Sequence, residues 1–344
     1  MPTTNISSIG TSSRDYSTIP SWEDDTDDNL VLADTVEVGA CYNDSEFLIT
    51  SSFSIVGATA DATRHRILTA AAGESFIDHV NVATNDLNYD QSNGVGIRCN
   101  TGFVNLLLNQ EDYCKVTRLQ LKKEDVGSSR SVYETGNPGT NQSIQNCIVE
   151  QAGNGNAVYI PLSDLTTNCL FIVTKSGSTY AATRVAFNTT GMQNCTLVAP
   201  SDLADAPAMG LEANTSASSF VVKNCAVFGF DLAVTGTMDT TNSGYNGTDG
   251  ASFIGSNNQT SLTYADQFQN TTLSGADFRL KSGADLIGAG TSDVDPAADE
   301  DIIGTPRSPY DIGCWQAPAA GPGYSPNQSM WHVFQSPITE WRVI

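Results

Sequence analysis

Apolar residues in this chain fall in short runs of three to five, separated by Gly, Asn, Ser and Thr, and only one stretch near the N-terminus follows a helical rhythm. Between residues 145 and 229 the runs become regular. One phrase returns four times, as QNCIVE, TNCLFIV, QNCTLVA and KNCAVFG. Cys147, Cys169, Cys195 and Cys225 each follow an asparagine, Asn146, Asn168, Asn194 and Asn224, at successive spacings of 22, 26 and 30 residues. A strand of constant type with loops of growing length is the mark of a solenoid. The runs are β-branched and too short for helices, so they are strands. One strand per rung buries nothing alone, but rungs stacked about 4.8 Å apart place like residues above like. The cysteines then form an inner column. Asparagine suits the corner before each strand, because it tolerates left-handed backbone and its amide can bond along the stack. The pattern predicts an all-β parallel β-helix.

Residues 1–14 read as a polar arm. In the stretch after them Tyr16, Ile19 and Trp22 repeat every three residues, Ser17 or Thr18 can cap, Pro20 fits a first turn, and Glu23, Asp24 and Asp25 follow. This predicts a short amphipathic helix over Tyr16–Leu30 that covers the open end of the coil, with its acidic residues near the positive end of the helix dipole. From Thr35 to Leu121 the strands are irregular first rungs, and residues 235–270, polar and Gly-rich, form either a long excursion or loosely formed last rungs. The expected division is 1–34 arm and cap, 35–316 β-helix, and 317–344 a Pro/Gly linker and apolar tail. Trp331, Phe334, Ile338 and Trp341 make that tail a candidate connector to other chains, the rival being a cap folded over the last rung.

Near the C-terminus stand Asp277-Phe278-Arg279-Leu280, Gly283, Ile287 and Ala289-Gly290. Asp301, Gly304, Pro306-Arg307 and Asp311-Ile312-Gly313 follow. This segment resembles the C-terminal signature of phage and bacterial right-handed parallel β-helix proteins of the pectate-lyase-like superfamily, and RDYSTIPSWED resembles their opening. Together with the repeats the resemblance covers roughly residues 14–316. It departs from the family pattern at Ala284-Asp285-Leu286, Gly288, Ile303 and Cys314-Trp315-Gln316. The resemblance implies a single-stranded right-handed β-helix, in which these positions pack or cap the last rung, and a homotrimer. It implies no activity, since the superfamily holds lyases, hydrolases, depolymerising tailspikes and proteins without catalysis.

Composition narrows the functions. A net charge of −22 with 16 Lys and Arg disfavours a nucleic-acid partner. The densest basic group, Lys115, Arg118, Lys122, Lys123 and Arg130, is interrupted by acidic residues and reads as a solvated rim. Four of eight cysteines sit at matching rung positions, so they are reduced core residues and not a disulfide framework. The start of the chain does not read as a signal peptide, and no 18-residue apolar run offers a membrane span.

Candidate chemistry is sparse, and the reading commits to no catalytic, cofactor or metal residue. Glu150, after a repeat strand, is the best lone acid, and no charge in the repeats is expected to recur at one place in adjacent coils, as a groove pair would require. Asp293, Asp295, Asp299, Glu300 and Asp301 are dense enough for a calcium loop but lack its residue order, and they read as a capping loop. The expectation is a non-enzymatic phage virion component, made in the host cytoplasm, that decorates or cements the capsid. Its partners would be capsid or tail proteins. The alternative is a tail-spike or polysaccharide-binding protein with a surface glycan as partner.

Overall fold

The computed structural model describes residues 1–79, 85–101, 104–124, 131–135, 140–160, 165–185, 191–213 and 217–318. The tail with Trp331, Phe334, Ile338 and Trp341 lies outside these residues, as does Arg130. Among them, three parallel sheets of eight, eight and seven strands run the length of the molecule. From Lys115–Thr117 onward each full rung passes from the first sheet through a tight corner to the second, then to the third. Ser143–Gln145, Ile148–Gln151 and Val158–Ile160 make one such turn. The fold is a parallel β-helix.

The tight corner carries the asparagines. Asn146, Asn168, Asn194 and Asn224 have φ of 51°, 54°, 52° and 53°, the left-handed region that Asn enters more readily than most residues. Register extends the corner beyond the repeated phrase. Thr117 pairs with Gln145, which sets Arg118 (φ 62°) beside Asn146. Gly244 bridges both Lys223 and Ser256, which sets Tyr245 and Asn257 (φ 57° each) in line with Asn224. Residues 244–259 are therefore last rungs and not an excursion.

Two cores result. Inside the coil, Ile97, Leu121, Val149, Phe171, Leu197 and Val227 stack on successive strands of the second sheet. They pack with the repeat cysteines. All eight cysteines are free and buried. Outside the same sheet, Ile148, Leu170, Ile172, Val198 and Phe228 form a second buried cluster with Phe268, Phe278, Leu286, Ile302, Ile312 and Trp315. The C-terminal signature thus lies flat along the flank and does not cap the last rung. The corner amides do not bond along the stack either. Asn224 Nδ2 donates to Thr291 O (2.8 Å), Asn168 Nδ2 to Ala297 O (3.1 Å), Asn194 Nδ2 to Ala298 O, and Asn146 Nδ2 to Asp301 O (2.9 Å). Residues 286–317 form a strap whose stretch 291–301 runs back along the coil from the Asn224 rung to the Asn146 rung, after which the chain returns, Gly313 N donating to Asn224 O (2.7 Å) and Cys314 N to Thr196 Oγ1 (2.9 Å).

The first residues are not an arm. Thr3–Ile9 pairs in parallel with Thr35–Cys41 and starts the first sheet, because backbone pairing needs no apolar side chains. The expected single helix is two short ones, α1 (Ile19–Asp25) and α2 (Leu30–Ala33). Thr18 caps α1, its hydroxyl accepting from Ser21 N at 3.2 Å, and Pro20 sits in its first turn. Because α1 has only seven residues, Asp24 and Asp25 fall in its last turn, so the expected dipole benefit is absent. Glu23 faces inward instead. Buried Arg66 ion-pairs with Glu23 (3.3 Å) and Glu111 and donates to the carbonyls of Glu23 and Val56, tying α1 to the first rungs. Trp22 is fully buried over Gly39, where a Cβ would come within 2.8 Å of the indole.

Replacing Trp22 by Ala should therefore cost about 3–5 kcal/mol in denaturant unfolding, the range for a buried large aromatic. A change under about 0.5 kcal/mol would place the indole outside the core.

Candidate functional site

Side chains that leave the coil outward stand in columns, one per rung, and the three sheets differ in what they present. On the second sheet register aligns Arg98, Lys122, Glu150 and Ile172. Charges do recur at one position in adjacent coils, contrary to the sequence expectation. Unequal inserts between the strands and the change of residue from rung to rung hid the column. Lys122, expected on a solvated rim, holds Glu150 at 3.0 Å and lies 5.1 Å from the Tyr89 ring. Arg98 bridges Glu46 and Glu124 (2.7 Å), and Tyr89 donates to Glu46 at 2.9 Å. Lys123 points the other way, buried, with Nζ donating to Val104 O. Burial raises the Glu150 carboxyl above its ordinary range, and Lys122 opposes the shift. The network matches each acid with a base.

The acidic run after Asp293 is equally occupied. Asp293 pairs with Lys223 (2.6 Å), Asp295 accepts from Ala297 N (2.9 Å), and Asp299 accepts from the Tyr310 hydroxyl (2.7 Å). Asp301, fully buried, accepts from Ile303, Thr305 and Gln316 N at 2.7–3.1 Å. These carboxylates build the turns of the strap. Among the described residues no three His, Cys, Asp or Glu side chains are grouped to hold a metal ion.

The third sheet is different. Its outward column reads Glu134, Tyr159, Arg184, Glu212, Thr235 on five successive strands. Arg184 lies 5.8 Å from the Tyr159 ring centre and 3.4 Å from Glu212. Beside Glu134, Tyr159 and Arg184, the residues Asn105, Ser131, Asn156 and Tyr180 enclose a groove of about 190 Å³. Asn156 is 6% exposed, and its amide oxygen has no hydrogen-bond partner. Two tyrosine rings, a guanidinium, a carboxylate and amides in a shallow groove suit a flat, hydroxyl-rich ligand. Glu134 and Glu212 are three strands apart, about 14 Å at the backbone. The sequence reading missed this column. Its trace was polar residues alternating with apolar ones in VYETG, AVYIP and TRVAF, one per rung.

No family model matches the chain, and no curated protein does. Among solved structures it is similar to pectate lyase Pel9A, with 12% identity, a TM-score of 0.46, and 92% of this chain and 97% of that chain covered. It is also similar to the pectin methylesterase from Aspergillus niger in deglycosylated form, with 12% identity, a TM-score of 0.41, and 80% and 94% covered.

Burial of the strap and flank carboxylates predicts an acid-shifted stability profile. Desolvation raises Glu150, Asp249, Asp301 and Asp311 in the folded chain. A raised folded pKa means that the fold takes up protons, so stability rises as pH falls from 8 toward the unfolded value near 4. Below that, Asp44 and Asp61, the latter lowered to about 2 by hydrogen bonds to its carboxylate, reverse the trend as they protonate. The melting temperature should peak between about pH 4 and 6. A steady fall from pH 8 to pH 5 would contradict the assignment.

Proposed function

We propose that this chain is a glycan-binding β-helix protein that engages a polysaccharide through the outer face of its third sheet, and that it binds without cleaving. The observation that carries this reading is the Tyr159–Arg184–Glu212 column beside the groove floored by Asn156. A pyranose ring offers a face for Tyr159 and hydroxyls for Arg184, Glu134 and the amides. A chain of sugars along the coil axis meets a new outward residue on each rung. The second sheet is sealed by the strap or locked in ion pairs, which supports the third as the working surface. That the carrier is a phage virion component, whether capsid decoration or tail spike, is a proposal resting on the terminal sequence signatures.

Affinity electrophoresis against a panel of bacterial surface polysaccharides tests it. The chain should be retarded by at least one of them. Tyr159→Ala and Arg184→Ala should each weaken retardation at least tenfold, or about 1.4 kcal/mol. Lys122→Met on the second sheet should leave it unchanged, and no new reducing or unsaturated ends should appear. Retardation that survives both third-sheet substitutions, or absence of retardation by every polymer, would overturn the reading.

A further inference from the structure

The charges on the third sheet decide which class of glycan its groove can take, an inference that rests on the glycan-binding reading above. Among the described residues Arg184 is the one base of the outward column, and acids stand on both sides of it. Glu212, on the next strand, lies with Oε2 3.4 Å from Arg184 Nε, and both side chains are partly exposed. Glu134 stands two strands away in the other direction, about 10 Å at the backbone, with Tyr159 between.

Nothing else in the groove adds positive charge. Its remaining described lining residues, Asn105, Ser131, Asn156 and Tyr180, are uncharged. Residues 131–236, which build the column, carry seven acidic side chains and three basic ones. Of those three bases, Lys223 is held by Asp293 (2.6 Å) on the strap. The Asn156 amide oxygen lacks a donor, and a hydroxyl or N–H would complete it, whereas a carboxylate brings only acceptors.

Alone beside a tyrosine ring, a guanidinium is a ready receptor for a carboxylate, which it grips with two parallel hydrogen bonds. Glu212 takes up the Nε edge of that fork and sets a negative charge where the incoming carboxylate would lie. To a neutral sugar the same pair offers donors from Arg184 and acceptors from Glu212, and a hydroxyl can use both at once. We propose that the groove takes an uncharged, hydroxyl-rich stretch of glycan and rejects uronate-rich chains, and that Glu212 is the residue that sets this preference. The net charge of −22 acts in the same direction by repelling a polyanion before contact.

Affinity electrophoresis with uncharged and uronate-containing polysaccharides, each uronate polymer run also after reduction of its carboxyls to alcohols, tests this on the full chain. The polymers that retard the unsubstituted chain should be uncharged, and carboxyl reduction should turn at least one inert uronate polymer into a retarding one. Glu212→Gln frees Arg184 and should strengthen retardation by a uronate polymer about threefold, the scale of one exposed charge pair. Asp24→Asn, which removes the same charge from the exposed surface of α1 at the start of the coil, should give no such gain. Circular dichroism of both variants should match that of the unsubstituted chain. Retardation of the unsubstituted chain by uronate polymers but not by their reduced forms would overturn this inference and leave the glycan-binding reading standing. A Glu212→Gln variant that gains nothing, or gains no more than Asp24→Asn, would remove Glu212 from the role. Absence of retardation by every polymer would overturn the functional reading and this inference with it.

Discussion

The left-handed corner between the first and second sheets is the constraint on which the rest depends. Most residues lose about 1–2 kcal/mol there, and the rungs from Arg118 to Asn257 each place one residue in it. Glycine would serve the backbone alone. Asparagine also offers an amide, and on the four rungs from Asn146 to Asn224 that amide holds a carbonyl of the strap. Arg118 and Tyr245 fill the same corner on the flanking rungs, where no strap carbonyl is bonded to them. The asparagine repeat in the sequence is therefore the footprint of the strap as much as of the coil.

Pinning the strap decides what the surface can do. The strap is rigid in its own right. Arg307, almost fully buried, donates to the carbonyls of Glu300, Asp311 and Gly313, and Asp301 and Asp311 gather backbone N–H groups around it. Laid on Ile172, Val198 and Phe228, it removes from solvent an apolar face that the coil could not leave exposed. The third sheet stays open, and its outward column carries Tyr, Arg and Glu. The functional reading follows from this division of the faces.

The coil was legible in the sequence because its signal is a repeat, and so was Trp22 as the plug of the first rung. The signature near the C-terminus was legible as sequence but not as position. Nothing in Asp301, Pro306-Arg307 or Asp311-Ile312-Gly313 says that they lie beside the second sheet. The clue stood in the strands themselves. CLFIV and CAVFG are apolar at consecutive positions, as strands buried on both faces are, whereas a coil open to water outside should alternate. The Arg98–Lys122–Glu150 and Tyr159–Arg184–Glu212 columns were not legible, because a column exists only once register is known, and the unequal inserts between strands conceal register.

The claim that one residue type builds the corner and fastens the strap is tested most directly by hydrogen exchange in Asn194→Gly. Glycine keeps the left-handed corner and deletes the bond to Ala298 O. The account predicts faster exchange along the strap, at the amides of Ala298, Asp301 and Gly313, while the rung amides of Leu197 and Val227 keep their protection. Loss of protection on the rungs together with the strap, or no change in the strap at all, would contradict it.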